Sequence, residues 1–173
     1  MLSFGFPPIA APLAHTLILG SLPGRLSLAR AEYYANPQNA FWKIVATRIP
    51  GLPARYADRA AALTDCGIAL WDVLAAATRS GSLDAAISRD AIANNFRAFL
   101  HIHTNVRLIC FNGATAAKLY ARHVLPTLTE PQGNITRLTL PSTSAAHASL
   151  DVAAKLARWS VIWDGVPVAG ERR

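Results

Sequence analysis

Four short, nearly continuous apolar runs punctuate the chain, at residues 16–19, 67–73, 106–111 and 135–140. Apolar continuity without polar alternation predicts strands covered on both faces. Between the runs lie segments of helical spacing at 41–49, 54–65, 90–103, 114–124 and 147–159. In the second of these, Tyr56, Ala60 and Leu63 fall on one helical face. In the third, Ile92, Phe96, Phe99 and Leu100 do, and Asp90 stands where an N-cap belongs. Strands that alternate with helices predict an α/β fold with a mainly parallel sheet and helices on both its faces.

In such sheets ligands gather at the carboxyl ends of the strands. Here three strands end in polar or glycine-rich turns, at 20–24, 112–115 and 141–144, and the remaining one ends at Trp71-Asp72. These four segments are expected to form one rim, which would gather Asn39, Phe41, Asp72, Asn112, Ser142, Thr143, Ser144 and His147. No GxSxG elbow, CxxC pair or HExxH helix is present, and the 20–24 turn lacks the Gly-Lys-Ser/Thr of a phosphate-binding P-loop. Amides, a flat ring and hydroxyls suit recognition of a nucleobase and its phosphates instead.

A length of 173 residues fits one domain over 1–173, with a core at about 14–163 and a loose basic tail at 166–173. Apolar residues make up 52% and charged ones 16%, which excludes a disordered chain. Seventeen Lys and Arg against ten Asp and Glu give a formal charge of +7, which favours a polyanionic partner such as nucleic acid or an anionic membrane surface. The same charge also serves plain solubility. No apolar stretch approaches the roughly 18 residues of a membrane span. Residues 1–12 lack a basic start and are broken by Pro7, Pro8 and Pro12, so a signal peptide is not expected. Cys66 and Cys110 sit in apolar runs without the spacing of a zinc or iron–sulfur set, and are expected to be free thiols of a cytoplasmic protein.

Gly20-Ser-Leu-Pro-Gly24, Asn36-Pro-Gln-Asn-Ala-Phe-Trp42 and Leu140-Pro-Ser-Thr-Ser144 resemble motifs of the uracil-DNA glycosylase superfamily, most closely its hypoxanthine-DNA glycosylase branch. With Gly67-Ile-Ala-Leu-Trp-Asp72 and Phe111-Asn-Gly-Ala-Thr115, the resemblance spans about residues 16–160 in family order. It implies a three-layer α/β/α sandwich around a short, four-stranded central sheet. It also implies a monofunctional enzyme, without metal or cofactor, that hydrolyses the N-glycosidic bond of a flipped deaminated base in DNA. Such a protein is expected to be a monomer associated with the nucleoid.

By that resemblance Asn39 is the catalytic residue. A carboxamide has little proton affinity, so its part is to place water or hydrogen-bond the substrate rather than to remove a proton. Phe41 is the base-stacking ring. Asp72 occupies a base-reading position, where an ionised carboxylate accepts the ring N–H of hypoxanthine or uracil and repels the N1 lone pair of adenine; a charge beside a departing anionic base is unfavourable, so a protonated Asp72, or one set back from the ring, stays open beside this. Trp71, Leu22 and Asn112 line the base site, while Ser21, Ser142, Thr143, Ser144 and His147 contact phosphate. Each has a plainer structural role beside this one. Asn39 is equally a turn residue after Pro37, Phe41 and Trp71 are core rings, and Asp72 is a cap. Asn112 could hold the neighbouring loop or begin an Asn-Gly turn, structural roles that outweigh base contact, and the hydroxyls are helix caps.

Two positions depart from the better-known members of that superfamily. Leu22 stands where they carry Asp or Asn, so water activation there is impossible, and Leu140 stands where uracil-specific members carry His. The hypoxanthine branch shares both. Ala145-Ala146 supplies no bulky wedge for opening DNA. Three alternatives to hypoxanthine excision remain at this point: uracil or xanthine excision from mismatched DNA, a non-catalytic module that binds damaged or single-stranded DNA, and a small-molecule nucleotide hydrolase on the same sheet, for which phosphate-cleaving motifs are lacking.

Overall fold

The computed structural model describes residues 2–78, 91–145 and 151–163. Its centre is a parallel sheet of four strands, β2 (Thr16–Gly20), β3 (Ile68–Asp72), β6 (Leu108–Asn112) and β7 (Thr136–Leu140), in the spatial order β3-β2-β6-β7. All three strand pairs are parallel, with Leu19 level with both Trp71 and Phe111. The four predicted runs are these strands. Every residue of β2 and β3 is buried, as continuous apolar runs require, whereas β7 is an edge whose first four residues are exposed. Its Thr-Arg-Leu-Thr alternation, read as part of a covered strand, is that of a strand with one neighbour and a solvated side.

Helices flank the sheet: α2 (Phe41–Ala46), α3 (Tyr56–Asp65), α4 (Phe96–Ile102), α5 (Ala114–His123) and α7 (Val152–Trp159). The third is shorter than its apolar spacing predicts. Asn95 caps it, its Oδ1 accepting the Ala98 N–H at 3.0 Å, while the expected cap Asp90 lies outside the described residues. Helix α7 likewise starts at Val152, capped by Asp151, whose Oδ1 accepts from Ala154 N–H at 2.7 Å. Two short helices, α1 (Arg25–Arg30) and α6 (Glu130–Gly133), were not visible in the apolar pattern because neither carries two turns of it.

A second, antiparallel sheet was also missed. It joins β1 (Leu2–Phe4), β4 (Leu74–Thr78) and β5 (Ile92–Ala93) in the order β1-β4-β5. The proline-rich segment after β1 meets the outer strand β3, where Ile9 and Leu70 exchange backbone hydrogen bonds at 2.9 and 2.8 Å. Nonlocal pairing of this kind leaves no periodic mark in the sequence. Cys110 is buried, Cys66 is half-buried, and both are free; burial pushes the Cys110 thiol up to about 12, so it stays protonated. No helix among the described residues is long and apolar enough to cross a membrane.

Trp71, expected as a base-site residue, belongs to the core. Its Nε1 donates to Phe6 O at 3.0 Å, and its ring lies 4.8 and 5.1 Å from those of Phe96 and Phe99. Side chains alternate along a strand, so Trp71 and Asp72 point to opposite faces and only one of them can reach a site on the Asp72 side. Trp71→Ala is expected to lower the unfolding free energy by about 3–5 kcal/mol in urea denaturation, the usual cost of emptying a buried ring site.

Candidate active site

The chain grows outward from β2 in both directions, to β3 on one side and to β6 on the other, so the switch point lies at the carboxyl end of β2. A cleft of ≈ 1180 Å³ opens there. Its walls include all four strand ends: Gly20, Asp72, Asn112 and Leu140. Leu22, Ser21, Asn39, Ser142, Thr143 and Ser144 line it as well, so the expected rim assembles. His147 lies outside the described residues.

Local chemistry sets the Asn39 side chain. Asn39 N–H closes a turn onto Asn36 O at 2.9 Å, and its Oδ1 accepts the Phe41 N–H at 2.9 Å, which satisfies a free donor at the start of α2. The turn bonds and a place on the cleft wall therefore coexist. That bond identifies which end of the amide is oxygen. It leaves the second Oδ1 lone pair and the Nδ2 donors, which bond no group among the described residues, for a substrate or a water.

Asn112 does not offer its amide in this way. Its Nδ2 donates to Thr143 Oγ1 and its Oδ1 accepts the Thr143 N–H, both at 2.8 Å. Asn112 thus holds the neighbouring loop, the structural alternative to base contact, and Thr143, expected at a phosphate, is its partner. Thr143 is only 1% exposed, and its carbonyl accepts the Ala40 N–H at 2.9 Å, one residue from Asn39. Close approach makes this possible. Gly113 takes a φ of +96° with Ser142 Cβ 3.1 Å from where a Cβ would stand. The same loop is pinned from outside by Trp159 Nε1, which donates to Pro141 O at 2.9 Å. Of the expected phosphate contacts, Ser144 is exposed and Ser142 half-buried, with Ser142 Oγ accepting the Ser144 N–H at 3.2 Å. Ser21 is buried and lines the same cleft.

Phe41, expected as the stacking surface, is fully buried and does not line the cleft. The Tyr34 ring covers it, with centroids 4.2 Å apart and planes at 27°. Trp42 and Trp159 meet it edge-on at 5.0 and 6.0 Å. A ring at a helix start, surrounded by three others, becomes core. Tyr34 lines the cleft in its place.

Asp72 is 3% exposed, on the floor of the cleft. A Cβ on Gly20 would collide with its Oδ1 and stand 3.1 Å from Tyr34 Oη, so the glycine makes room for both groups. Burial, and after it the Asp72 charge, pushes the neighbouring Tyr33 phenol far above its ordinary range. Tyr33 therefore remains a neutral donor to the Phe6 and Pro7 carbonyls at 3.3 and 3.2 Å. Arg25 and Arg158, which no motif singled out, are exposed on the cleft walls. No group of His, Cys, Asp and Glu side chains suited to a metal occurs among the described residues. An amide, a buried carboxylate, an aromatic ring and a basic margin can hold a heterocycle attached to a phosphate chain. Asn112→Ala is expected to cost about 1–3 kcal/mol, because it strands the buried Thr143 N–H. Hydrogen exchange at the Thr143 and Ala40 amides should quicken more than exchange in the β2 strand.

Comparison with known proteins agrees with this arrangement. The family model "Uracil DNA glycosylase superfamily" matches residues 7–163. A protein of Methanosarcina acetivorans named hypoxanthine DNA glycosylase is 38% identical over 120 residues, 68% of this chain and 75% of that protein. One of the same name from Methanosarcina barkeri is 33% identical over 148 residues, 84% of this chain and 89% of that one. A solution NMR structure from Methanosarcina acetivorans, described provisionally as a uracil DNA glycosylase, superposes with a TM-score of 0.78 at 33% identity, covering 96% of this chain and 99% of its own. With the four-stranded parallel sheet and the cleft at its switch point, these matches place the chain in the uracil DNA glycosylase superfamily, to which it belongs.

Proposed function

We propose that the chain is a monofunctional DNA glycosylase that hydrolyses the N-glycosidic bond of a flipped deaminated base, with hypoxanthine as its substrate, in base-excision repair. The observation that carries this reading is the convergence of Asn39 and Asp72 on one cleft at the sheet's switch point. The two relatives named hypoxanthine DNA glycosylase support the choice of base.

Breaking an N-glycosidic bond leaves positive charge on the sugar and negative charge on the departing base, and water must reach the anomeric carbon. Asn39 guides that water. Its Oδ1, already steered by the Phe41 N–H, accepts a water hydrogen through its second lone pair, so the water oxygen faces the sugar. Asp72 reads the base. In its ionised form it accepts the N1–H of hypoxanthine and repels the N1 lone pair of adenine, so the intact purine is refused on electrostatic grounds. Leu22, buried on the wall beside them, helps keep bulk water from the reacting centre. Ser21, Ser142 and Ser144, with Arg25 and Arg158, meet the phosphates on either side of the flipped nucleotide.

Single-turnover excision from duplexes that carry one hypoxanthine, uracil or xanthine each tests the reading. Hypoxanthine should be released fastest, and Asn39→Ala should lower that rate roughly 100-fold or more with DNA affinity nearly unchanged. An Asn39→Ala rate equal to wild type would remove Asn39 from the chemistry. Tight, salt-sensitive binding with no base released would replace the enzyme with a binding module.

A further inference from the structure

We propose that Leu26 is the apolar wedge that fills the space in the duplex when the target base leaves its stack. This deepens the glycosylase reading and rests on it. Taking a base out of a duplex unstacks its neighbours and leaves a gap, and an apolar side chain inserted between base steps holds such a distortion open. Ala145 and Ala146 bring only methyl groups to that task. Among the described residues eight large apolar side chains are exposed, and of these eight Leu26 alone lines the cleft.

Single exposed leucines are ordinary on a protein surface. The setting distinguishes this one. On α1 the residues Arg25, Leu26 and Ala29 are exposed and line the cleft. Leu26 and Ala29, three apart, share one face of the helix, and Arg25 lies a turn before Ala29. A cation suited to a phosphate at the cleft margin therefore stands directly beside an apolar group of the size a wedge needs. Leu26 is 37% exposed, and burying that surface in a base stack removes it from water.

A wedge works only where the base stack cannot push it back. The Leu28 N–H closes α1 onto Gly24 O at 2.9 Å. Ser27, next to Leu26 and buried, takes the Ala35 N–H on its Oγ at 3.3 Å and the Glu32 N–H on its carbonyl at 3.1 Å. The turn held in this way contains two left-handed residues, Ala31 at a φ of +53° and Tyr34 at +54°, a conformation rare outside glycine. Between them the Tyr33 N–H donates to Tyr56 Oη on α3 at 3.0 Å. Tertiary hydrogen bonds on a strained turn leave it one arrangement, so Leu26 is set in place before DNA arrives. Its part lies in the duplex and not in the chemistry. Once the base is out, Asn39 and Asp72 meet the same nucleotide with or without it.

The test compares single-turnover release of hypoxanthine from two duplexes, one with an ordinary base opposite the lesion and one with a pyrene nucleotide there. Pyrene is an apolar ring system about the size of a base pair, so it fills the gap itself. On the ordinary duplex Leu26→Ala should be about fivefold slower or more, and on the pyrene duplex within about twofold of wild type. Leu26→Met, apolar and of similar volume, should stay within about twofold on both. Because Leu26 is exposed, Leu26→Ala should melt as wild type does; Leu26→Gln, a helix former of similar length, takes its place should it not. Equal losses on the two duplexes overturn the proposal, since Leu26 would then serve the fold or the reaction. An unchanged rate on the ordinary duplex overturns it as well. Binding to the same two duplexes with 2′-fluoro-inosine, which resists hydrolysis, repeats the comparison without chemistry, and the variant should lose affinity for the ordinary one alone. No base release by wild type would end the glycosylase reading, and the binding comparison then decides Leu26 by itself.

Discussion

Two hydrogen bonds between Asn112 and Thr143 hold the working end of this molecule together. Four parallel strands end there, and the segments after them have no ladder to continue. Asn112 closes the gap by giving both ends of its amide to one residue of the neighbouring loop. Thr143 passes the constraint on, its carbonyl taking the Ala40 N–H between Asn39 and Phe41. Trp159 ties the same loop to α7 through Pro141. In a buried setting an unmade hydrogen bond is expensive, so such a relay has one satisfied arrangement rather than several. Asn39 inherits its position from residues more than 70 places away in sequence. Fixed polar groups lower a barrier because they need not reorganise during reaction, and in the proposed reaction this relay would supply that fixity to Asn39.

Glycines and aromatic rings shape the space that the relay encloses. Gly20 and Gly113 lie at the ends of the two central strands, and each stands where a side chain would collide, with Asp72 in one case and Ser142 in the other. Phe41, Tyr34, Trp42 and Trp159 form a cluster of stacked and edge-on rings behind the cleft. Ring packing of this kind is stiff, with few rotamers to lose.

Charge is arranged in two zones. The cationic excess of the chain reaches the cleft through Arg25 and Arg158 at its margin, while the Asp72 carboxylate lies buried on its floor. In recognition of DNA the phosphates supply affinity and the base edge supplies identity. A positive margin with an acidic floor divides the two tasks in space. Under the proposed function a phosphate would be drawn to the margin and a base to the floor.

The sequence by itself determined the strand runs, their parallel association and the rim to which they lead. Continuous burial needs continuous apolar residues, and a parallel sheet puts every strand's carboxyl end on one side. It also placed Asn39 and Asp72 at that rim, because both lie directly beside strand or helix ends. Only the tertiary structure decided which neighbours use up their hydrogen-bonding groups. The Asn112 amide looks identical in sequence whether it faces a base or Thr143. Phe41 looks identical whether its ring is bare or covered by Tyr34. The antiparallel sheet and the left-handed turn at Tyr34 were equally hidden, since both depend on contacts between distant segments. Local pattern fixes which face is apolar, whereas availability of a polar atom or a ring is settled by what packs against it.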